Sequence, residues 1–176
     1  MSGHNKWSKI KHQKGASDAQ KSKVFSKLVR FITVEAKKSG GNLVSPGLAA
    51  AIKKAKAENM PNDTIDRAVK KGSTDNSASM DNITYEAYGP GGCAIVIEAL
   101  TDNRNKAAQE VKYILSQNGF ELAAPGSATW AFKRENGEWL PQTTVPVTGD
   151  DATKLQDLIG ALEENDEVQD VYTNAE

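Results

Sequence analysis

Apolar residues near the start of the chain recur at spacings of three and four, which is the period of an amphipathic α-helix. The pattern predicts a helix from about Asp18 to Ser39, ended by Gly40-Gly41. Its apolar face carries Val24, Phe25, Leu28, Val29, Ile32 and Ala36. The opposite face carries Lys23, Lys27, Arg30 and Lys37. We therefore expect one side of this helix to pack and the other to be basic.

Two shorter helices are predicted next. Ser45-Pro46 offers a cap followed by a proline at the first helical position, which favours a helix over 46–58. Asn62 or Asp63 can cap a third helix that runs to Lys71 and is closed by Gly72.

The segments on either side of these helices lack helical periodicity. Residues 1–17 are rich in Lys, Ser and Gly and have few apolar anchors, and residues 73–82 are polar. The sequence therefore predicts a basic arm over 1–17, a basic three-helix domain over 18–72 and a linker over 73–82.

Beyond the linker the period changes from helical to strand-like. Strands are predicted over 83–88, 93–101, 128–132, 143–147 and 168–173, and helices over about 104–118 and 151–164. From residue 93 onward the order is β-α-β-β-α-β, the pattern of a ferredoxin-like sandwich, with 83–88 as an extra strand. The predicted fold class is therefore α+β: an N-terminal three-helix domain followed by a ferredoxin-like α/β sandwich over 83–176.

Charge is segregated along the chain, although the formal net charge is only -1. Residues 1–72 contain 16 Lys and Arg against 5 Asp and Glu, whereas residues 73–176 contain 6 and 18. This asymmetry favours a polyanionic partner, nucleic acid above all, for the basic half. The alternative is that the basic half binds the acidic half of the same chain.

Groups suited to catalysis or metal binding are scarce. Cys93 is the single cysteine and lies in an apolar run, and His4 and His12 have no acidic neighbour in the sequence. GPGG at 89–92 is typical of a turn rather than of a phosphate loop. We therefore predict no enzyme, no metal and no cofactor.

The apolar stretches of the chain are short. None approaches the length needed to cross a bilayer, and the N-terminus lacks the apolar core of a signal peptide. We therefore expect a cytoplasmic protein that does not enter a membrane.

Nucleic-acid binding asks for less special geometry than catalysis, because Lys and Arg that contact phosphates release condensed counterions. The residues predicted to bind are Lys6, Trp7, Lys9, Lys11, His12 and Lys14 in the arm and Lys23, Lys27 and Arg30 on the first helix. Trp7 can stack on an exposed base, or it can anchor the arm to the helices; both interpretations stay open.

Five segments of the chain resemble the YebC family. They are GHNKWSKIKHQKGASDAQKSKVFSKLVR, ENMPNDTIDRAVKKG, YEAYGPGG, LTDNRNK and LIGALEENDEVQDVYTNAE, in that order. Members usually carry an extra α/β domain inserted in the second domain. Here ATWAFKREN is followed at once by GEWLPQTTV, so we expect the inserted domain to be missing near 133–140.

The resemblance also supports the prediction of a nucleic-acid-binding site in the motif TDNRNK (101–106). Cap chemistry explains Thr101 to Asn103, but Arg104 and Lys106 at a helix start oppose the helix dipole. We therefore add Arg104 and Lys106 to the residues predicted to bind nucleic acid.

What the resemblance implies is regulation of gene expression without catalysis. Some members are described as transcriptional regulators that bind DNA, and others resemble ribosome-associated translation factors that ease elongation through difficult stretches such as proline runs. Because the cations are mostly lysines, which contact phosphates more readily than they read bases, recognition of backbone or shape is favoured, and structured RNA suits this. A third hypothesis is a protein–protein adaptor, and the acidic domain is a candidate to bind a protein partner.

Overall fold

The computed structural model describes residues 18–75 and 79–176, and the described chain divides into two compact units between Met80 and Asp81. The first, which we call the helical unit, contains α1 (Asp18–Ser39), α2 (Pro46–Ala57) and α3 (Asn62–Thr74). The second, which we call the sheet unit, contains an antiparallel sheet and two α-helices. The predicted α+β class, with helices before the sheet, is confirmed.

The first helix has the predicted bounds and the predicted apolar face. Three of the six apolar residues of that face are buried in the core of the helical unit and the other three pack against it, and this core also contains Leu48 and Ala51 of α2 and Ile65 and Ala68 of α3. The helix ends because Gly40 and Gly41 adopt positive φ angles of 61° and 81°. The Gly41 N–H then donates to the Ala36 carbonyl at 2.8 Å, which satisfies a carbonyl at the helix end.

Helix α3 passes through Gly72 to Thr74, so the prediction that Gly72 closes it was wrong. Gly72 is buried, and a Cβ atom placed there would meet the Thr33 carbonyl and lie 2.7 Å from the Ala36 Cβ. The glycine therefore allows α3 to lie close against α1 and has no role as a cap. Helix α2 begins at Pro46 as predicted, although the Ser45 side chain makes no cap hydrogen bond.

The sheet unit contains β1 (Asp81–Tyr88), β2 (Ala94–Thr101), α4 (Arg104–Gln117), β3 (Leu122–Ala123), β4 (Phe132–Glu135), β5 (Glu138–Pro141), α5 (Gly149–Glu164) and β6 (Val168–Thr173). Four strands form one antiparallel sheet in the order β3-β1-β2-β6, and β4 and β5 form a separate hairpin. The turn at Pro90–Gly92 joins β1 to β2, as the GPGG segment predicted.

Strand β2 is buried on both faces, which explains its nearly continuous apolar sequence. Ile95 and Ile97 face one core with apolar residues of α4 and α5. Ala94 and Val96 face a second, smaller core on the opposite side of the sheet, formed by Ala128, Ala131, Phe132 and Tyr172 with Trp139 packed against it. The helices therefore cover one face of the sheet, and the segment around β4 and β5 packs against the other.

Two of the predicted strands differ from the observed structure. Residues Thr129–Ala131 form a 3-10 turn, and the strand predicted over 128–132 begins only at Phe132, because Ala128 and Ala131 turn inward to the smaller core. The segment 143–147 forms no regular strand and makes a single parallel bridge, Val145 to Ala175. Strand β1 occupies the place beside β2 that the ferredoxin-like pattern gives to its third strand.

Asn136-Gly137 joins β4 directly to β5, with Glu135 paired to Glu138. Both residues have positive φ angles, 52° and 80°, which a tight two-residue hairpin requires. The Asn-Gly pair thus makes the tight turn that this dipeptide favours, but it joins β4 to β5 and not the strands predicted over 128–132 and 143–147. Among the described residues, no helix combines the length and apolar composition needed to cross a bilayer.

Candidate nucleic-acid interface

The helical unit is cationic as a whole. Residues 18–80 contain twelve Lys and Arg against six Asp and Glu. The exposed cations include Lys21, Lys38, Lys53, Lys56, Arg67, Lys70 and Lys71. A positive potential over such a surface attracts a polyanion without a precise arrangement of donors.

The basic face predicted on α1 is only partly exposed. Lys23, Lys27 and Arg30 are all half-buried, and the Arg30 Nε lies 3.2 Å from the sulfur of Met80. The Lys37 ammonium nitrogen is buried and has no hydrogen-bond partner among the described residues. This face is therefore less open to solvent than the helical period predicted.

Helix α2 has the most uniform positive charge of the described helices, since its sequence PGLAAAIKKAKA has three lysines and no carboxylate. Lys53 and Lys56 are exposed. The Lys54 ammonium lies 5.8 Å from the centroid of the Phe31 ring on α1, within range of a cation–π contact. These three lysines were not among the residues that the sequence analysis predicted to bind nucleic acid.

Helix α3 differs from α2 because its exposed surface mixes both signs. Arg67, Lys70 and Lys71 share it with Asp63 and Asp66. The Arg67 Nε also donates to the backbone carbonyl of Asp63 at 3.3 Å. Mixed charge is typical of an ordinary solvated helix face, so α2 is the better candidate surface.

The arm residues of the prediction lie outside the described residues. These are Lys6, Trp7, Lys9, Lys11, His12 and Lys14. Their role in binding stays a prediction.

Arg104 and Lys106 lie in the first turn of α4, on the sheet unit. Asn103 caps this helix, since its side chain accepts from the Lys106 N–H at 3.0 Å, and its own N–H donates to the Thr101 hydroxyl at 2.9 Å. The Arg104 Nε lies 2.8 Å from an Asp81 carboxylate oxygen, and both side chains are exposed. Arg104 therefore ties the start of α4 to the start of β1.

Lys106 is held by two carboxylates. Its ammonium lies 3.1 Å from Glu167, which is buried, and 3.9 Å from Glu110. The hydrogen bond to Glu167 and the attraction of both carboxylates raise the pKa of Lys106. Both predicted cations of the TDNRNK motif thus have structural partners, and their contact with phosphate stays a prediction.

A surface groove lies beside Lys106. It has a volume of about 660 Å³ and is lined mainly by the polar side chains of Asn103, Asn105, Gln109 and Asn165, with Tyr113 at 64% exposure. The Asn165 amide donates to Glu110 at 2.8 Å and its oxygen accepts from the Glu167 N–H. Part of the lining therefore serves to hold the turn between α5 and β6.

The described residues offer little for catalysis. Cys93 is buried, and its burial raises the pKa of the thiol, which disfavours the reactive thiolate. No group of three or more His, Cys, Asp or Glu in the described ranges is placed to hold a metal ion.

Comparison with known families shows to which family the chain belongs. The sequence model described as the TACO1/YebC protein N-terminal domain matches residues 5–75. The model of the TACO1/YebC second and third domain matches residues 80–137 and 135–175. The chain belongs to the TACO1/YebC family. The resemblance of the five sequence segments is thereby confirmed.

Curated relatives of this TACO1/YebC chain are similar over nearly their whole length. A protein of Fervidobacterium nodosum is 40% identical over 235 aligned positions, which cover 99% of this chain and 93% of the relative. A protein of Thermotoga maritima is 37% identical over 238 positions, covering 100% and 94%. Each is named a probable transcriptional regulatory protein. These alignments are longer than the 176 residues of this chain, so the relatives carry residues without a counterpart here.

A solved structure has the same fold. The crystal structure of a conserved hypothetical protein from Aquifex aeolicus superposes with a TM-score of 0.78 at 30% sequence identity. The match covers 97% of this chain and 96% of the Aquifex protein.

Proposed function

We propose that this protein is a non-enzymatic regulator of gene expression that binds nucleic acid, DNA in the first instance, through its basic arm and helical unit. The observation that carries the proposal is the separation of charge between the units. Residues 18–80 have twice as many cations as anions, and the arm adds four lysines without a carboxylate, whereas residues 81–176 have six cations against seventeen anions. The names of the relatives, probable transcriptional regulatory proteins, support the regulatory role.

The composition of the cations favours contact with phosphates over reading of bases. Ten of the twelve cations in residues 18–80 are lysines, the exceptions being Arg30 and Arg67. A lysine ammonium acts as a point charge, whereas bidentate recognition of guanine is typically made by arginine. The same observation favours a second candidate, a ribosome-associated translation factor that binds structured ribosomal RNA, because RNA helices are recognised largely by backbone and shape.

The binding experiment uses the full chain, a labelled DNA duplex and a labelled RNA hairpin, titrated by fluorescence anisotropy at several salt concentrations. Reversal of Lys9, Lys11 and Lys14 to Glu should weaken binding and reduce its dependence on salt, because each lost phosphate contact lowers the salt slope by roughly one. Reversal of exposed Lys112 and Lys154 in the sheet unit, compared with reversal of Lys9 and Lys11 alone, is the matched control. Equal affinity of the wild type and the arm variant would refute the proposal.

A sedimentation experiment separates the two candidates. If the protein acts in translation, it should travel with ribosomes in a cell lysate and be released by ribonuclease. If it acts in transcription, it should stay with the light fractions and retard a promoter fragment on a gel. Failure to bind either probe would leave the adaptor hypothesis, in which the two charged halves neutralise each other.

We also propose that the β4–β5 hairpin stands where relatives carry an additional domain. The two matched segments of the second-and-third-domain model meet at 135–137, which includes the hairpin turn at Asn136-Gly137. A relative's extra residues grafted between Asn136 and Gly137 should therefore leave the sheet unit folded, which circular dichroism can check. Loss of the fold in such a graft would contradict this placement.

A further inference from the structure

An exposed aromatic pair lies on the face of the sheet opposite α4 and α5. Trp130 is 61% exposed and Tyr88 is 39% exposed. The Trp130 indole N–H donates to the Tyr88 hydroxyl at 2.9 Å, and that hydroxyl donates to the Ser127 carbonyl. The polar atoms of both rings are thus engaged within the sheet unit, so the pair offers a partner chiefly its ring faces.

The segment that carries Trp130 is fixed by a buried carboxylate. Glu86 of β1 is only 5% exposed and accepts backbone N–H groups from Gly126 at 2.6 Å, Ala128 at 2.9 Å and Thr129 at 2.7 Å. Burial alone would raise the pKa of this carboxyl, but the hydrogen bonds outweigh burial and lower the pKa of Glu86. The carboxylate therefore stays ionised and holds the segment directly before Trp130.

The exposed position of Trp130 is therefore imposed by the fold. Ala128 and Ala131 on either side of it are fully buried, and Glu86 fixes the backbone between them. A large indole kept outside by a rigid support forgoes the favourable free energy that burial of its apolar surface would give. A preorganised aromatic surface of this kind is typical of a recognition site.

Charge indicates the class of partner. Residues 81–176 contain seventeen Asp and Glu against six Lys and Arg. The two cations that follow Trp130 most closely are neutralised, since Lys133 lies 2.8 Å from Glu135 and Arg134 lies 3.2 Å from Glu98. The net negative charge of the unit therefore favours a cationic partner over a phosphate chain, and an indole face binds a guanidinium or an ammonium by a cation–π contact.

We infer that Tyr88 and Trp130 form a docking site for an arginine- or lysine-rich segment of a partner protein. The site lies on the sheet unit, and the inference does not rest on the proposed nucleic-acid binding. A cationic side chain of the partner lies on the Trp130 ring, and the acidic sheet unit attracts the remaining charge of the segment. Tyr88 acts as a positioning residue, because its hydroxyl fixes the orientation of the indole.

The experiment titrates the full chain against a fluorescein-labelled peptide of alternating glycine and arginine, followed by anisotropy. Wild-type protein should bind, and Trp130→Ala should weaken binding roughly tenfold, which is the range of a cation–π contact. Tyr88→Phe keeps both rings but removes the hydroxyl, so it should weaken binding less. Tyr113→Ala removes another exposed aromatic side chain of the same unit and should leave the affinity unchanged.

Three outcomes would overturn the inference. The first is that wild-type protein does not bind the peptide, and the second is that Trp130→Ala and Tyr113→Ala behave alike. The third is that Trp130→Ala leaves peptide binding intact but weakens binding of a single-stranded oligouridylate, which would make the pair a base-stacking surface instead. Trp130→Phe keeps an aromatic face and should retain most of the affinity, and the thermal midpoint of each variant reports that it is folded.

Discussion

Gly72 of α3 lies directly against the carbonyl oxygen of Thr33 in α1, with no space between them for a side chain. The Ala36 Cβ is the next neighbour, at 2.7 Å from the position that a Cβ atom on residue 72 would take. The contact joins the longest helix of the described residues to the last helix of the helical unit. The close approach of α1 and α3 therefore requires glycine at this position.

Substitution Gly72→Ala should destabilise the helical unit by about 3 kcal/mol, because a backbone oxygen cannot move aside as a side chain can. Gly160→Ala is the matched control, since Gly160 also lies within a helix and nothing stands within 4 Å of its missing Cβ. There the higher helix propensity of alanine should give a neutral or slightly stabilising change. Differential scanning calorimetry of both variants measures this difference in stability. A Gly72→Ala protein as stable as the wild type would contradict the prediction.

The stability of the Glu86 contact should depend on pH. Hydrogen bonds from Gly126, Ala128 and Thr129 leave the pKa of Glu86 below its ordinary value of 4.5. A group with a lowered folded-state pKa contributes stability that is fully present above its unfolded-state pKa and is lost as the pH falls through the folded-state pKa. Urea unfolding should therefore show stability falling on acidification below about pH 4.5.

Glu86→Gln should remove this part of the acid dependence and cost about 2 kcal/mol at neutral pH, because an amide cannot accept three N–H groups as a carboxylate does. Exposed Glu121→Gln serves as the comparison and should change neither quantity. If both variants lost stability equally on acidification, the assignment of this pH dependence to Glu86 would be wrong.

Local signals in the sequence predicted the helices and turns well. The bounds of α1, the cap at Asn103 and the turn at Pro90–Gly92 each depend on residues close together in the chain, through a period, a cap or a positive φ angle. Such features are decided by local geometry, which sequence patterns record directly.

Features that depend on distant contacts were missed. Glu86 looks like an ordinary polar residue of an alternating strand, and only the return of residues 126–129 buries it. Gly72 looks like a helix end until Thr33 is known to lie against it. For the candidate interface, the helical period placed Lys23 on a basic face but could not show that it is half-buried.

The two cations of the TDNRNK motif should differ in their effect on stability. Arg104 and Asp81 form an exposed pair, so Arg104→Met should cost only about 0.5 kcal/mol. Lys106 is paired with Glu167, whose side chain is 6% exposed, so Lys106→Met leaves a buried carboxylate without this cation and should destabilise more. Thermal unfolding of both variants shows which substitution destabilises more, and equal unfolding midpoints would contradict the prediction. Glu167→Gln combined with Lys106→Met should recover part of the loss.

Helix α2 provides a test of the nucleic-acid surface within the described residues. Lys53 and Lys56 are exposed on a helix without a carboxylate, so Lys53→Glu with Lys56→Glu should reverse the local potential and leave the core unchanged. Affinity for a labelled duplex or RNA hairpin should fall at least tenfold at moderate salt, and the salt slope should decrease by about two if both lysines contact phosphates.

Lys70→Glu with Lys71→Glu reverses the same charge on α3, where Asp63 and Asp66 already reduce the potential, and should have a smaller effect. A larger effect from the α3 pair would move the surface from α2 to α3.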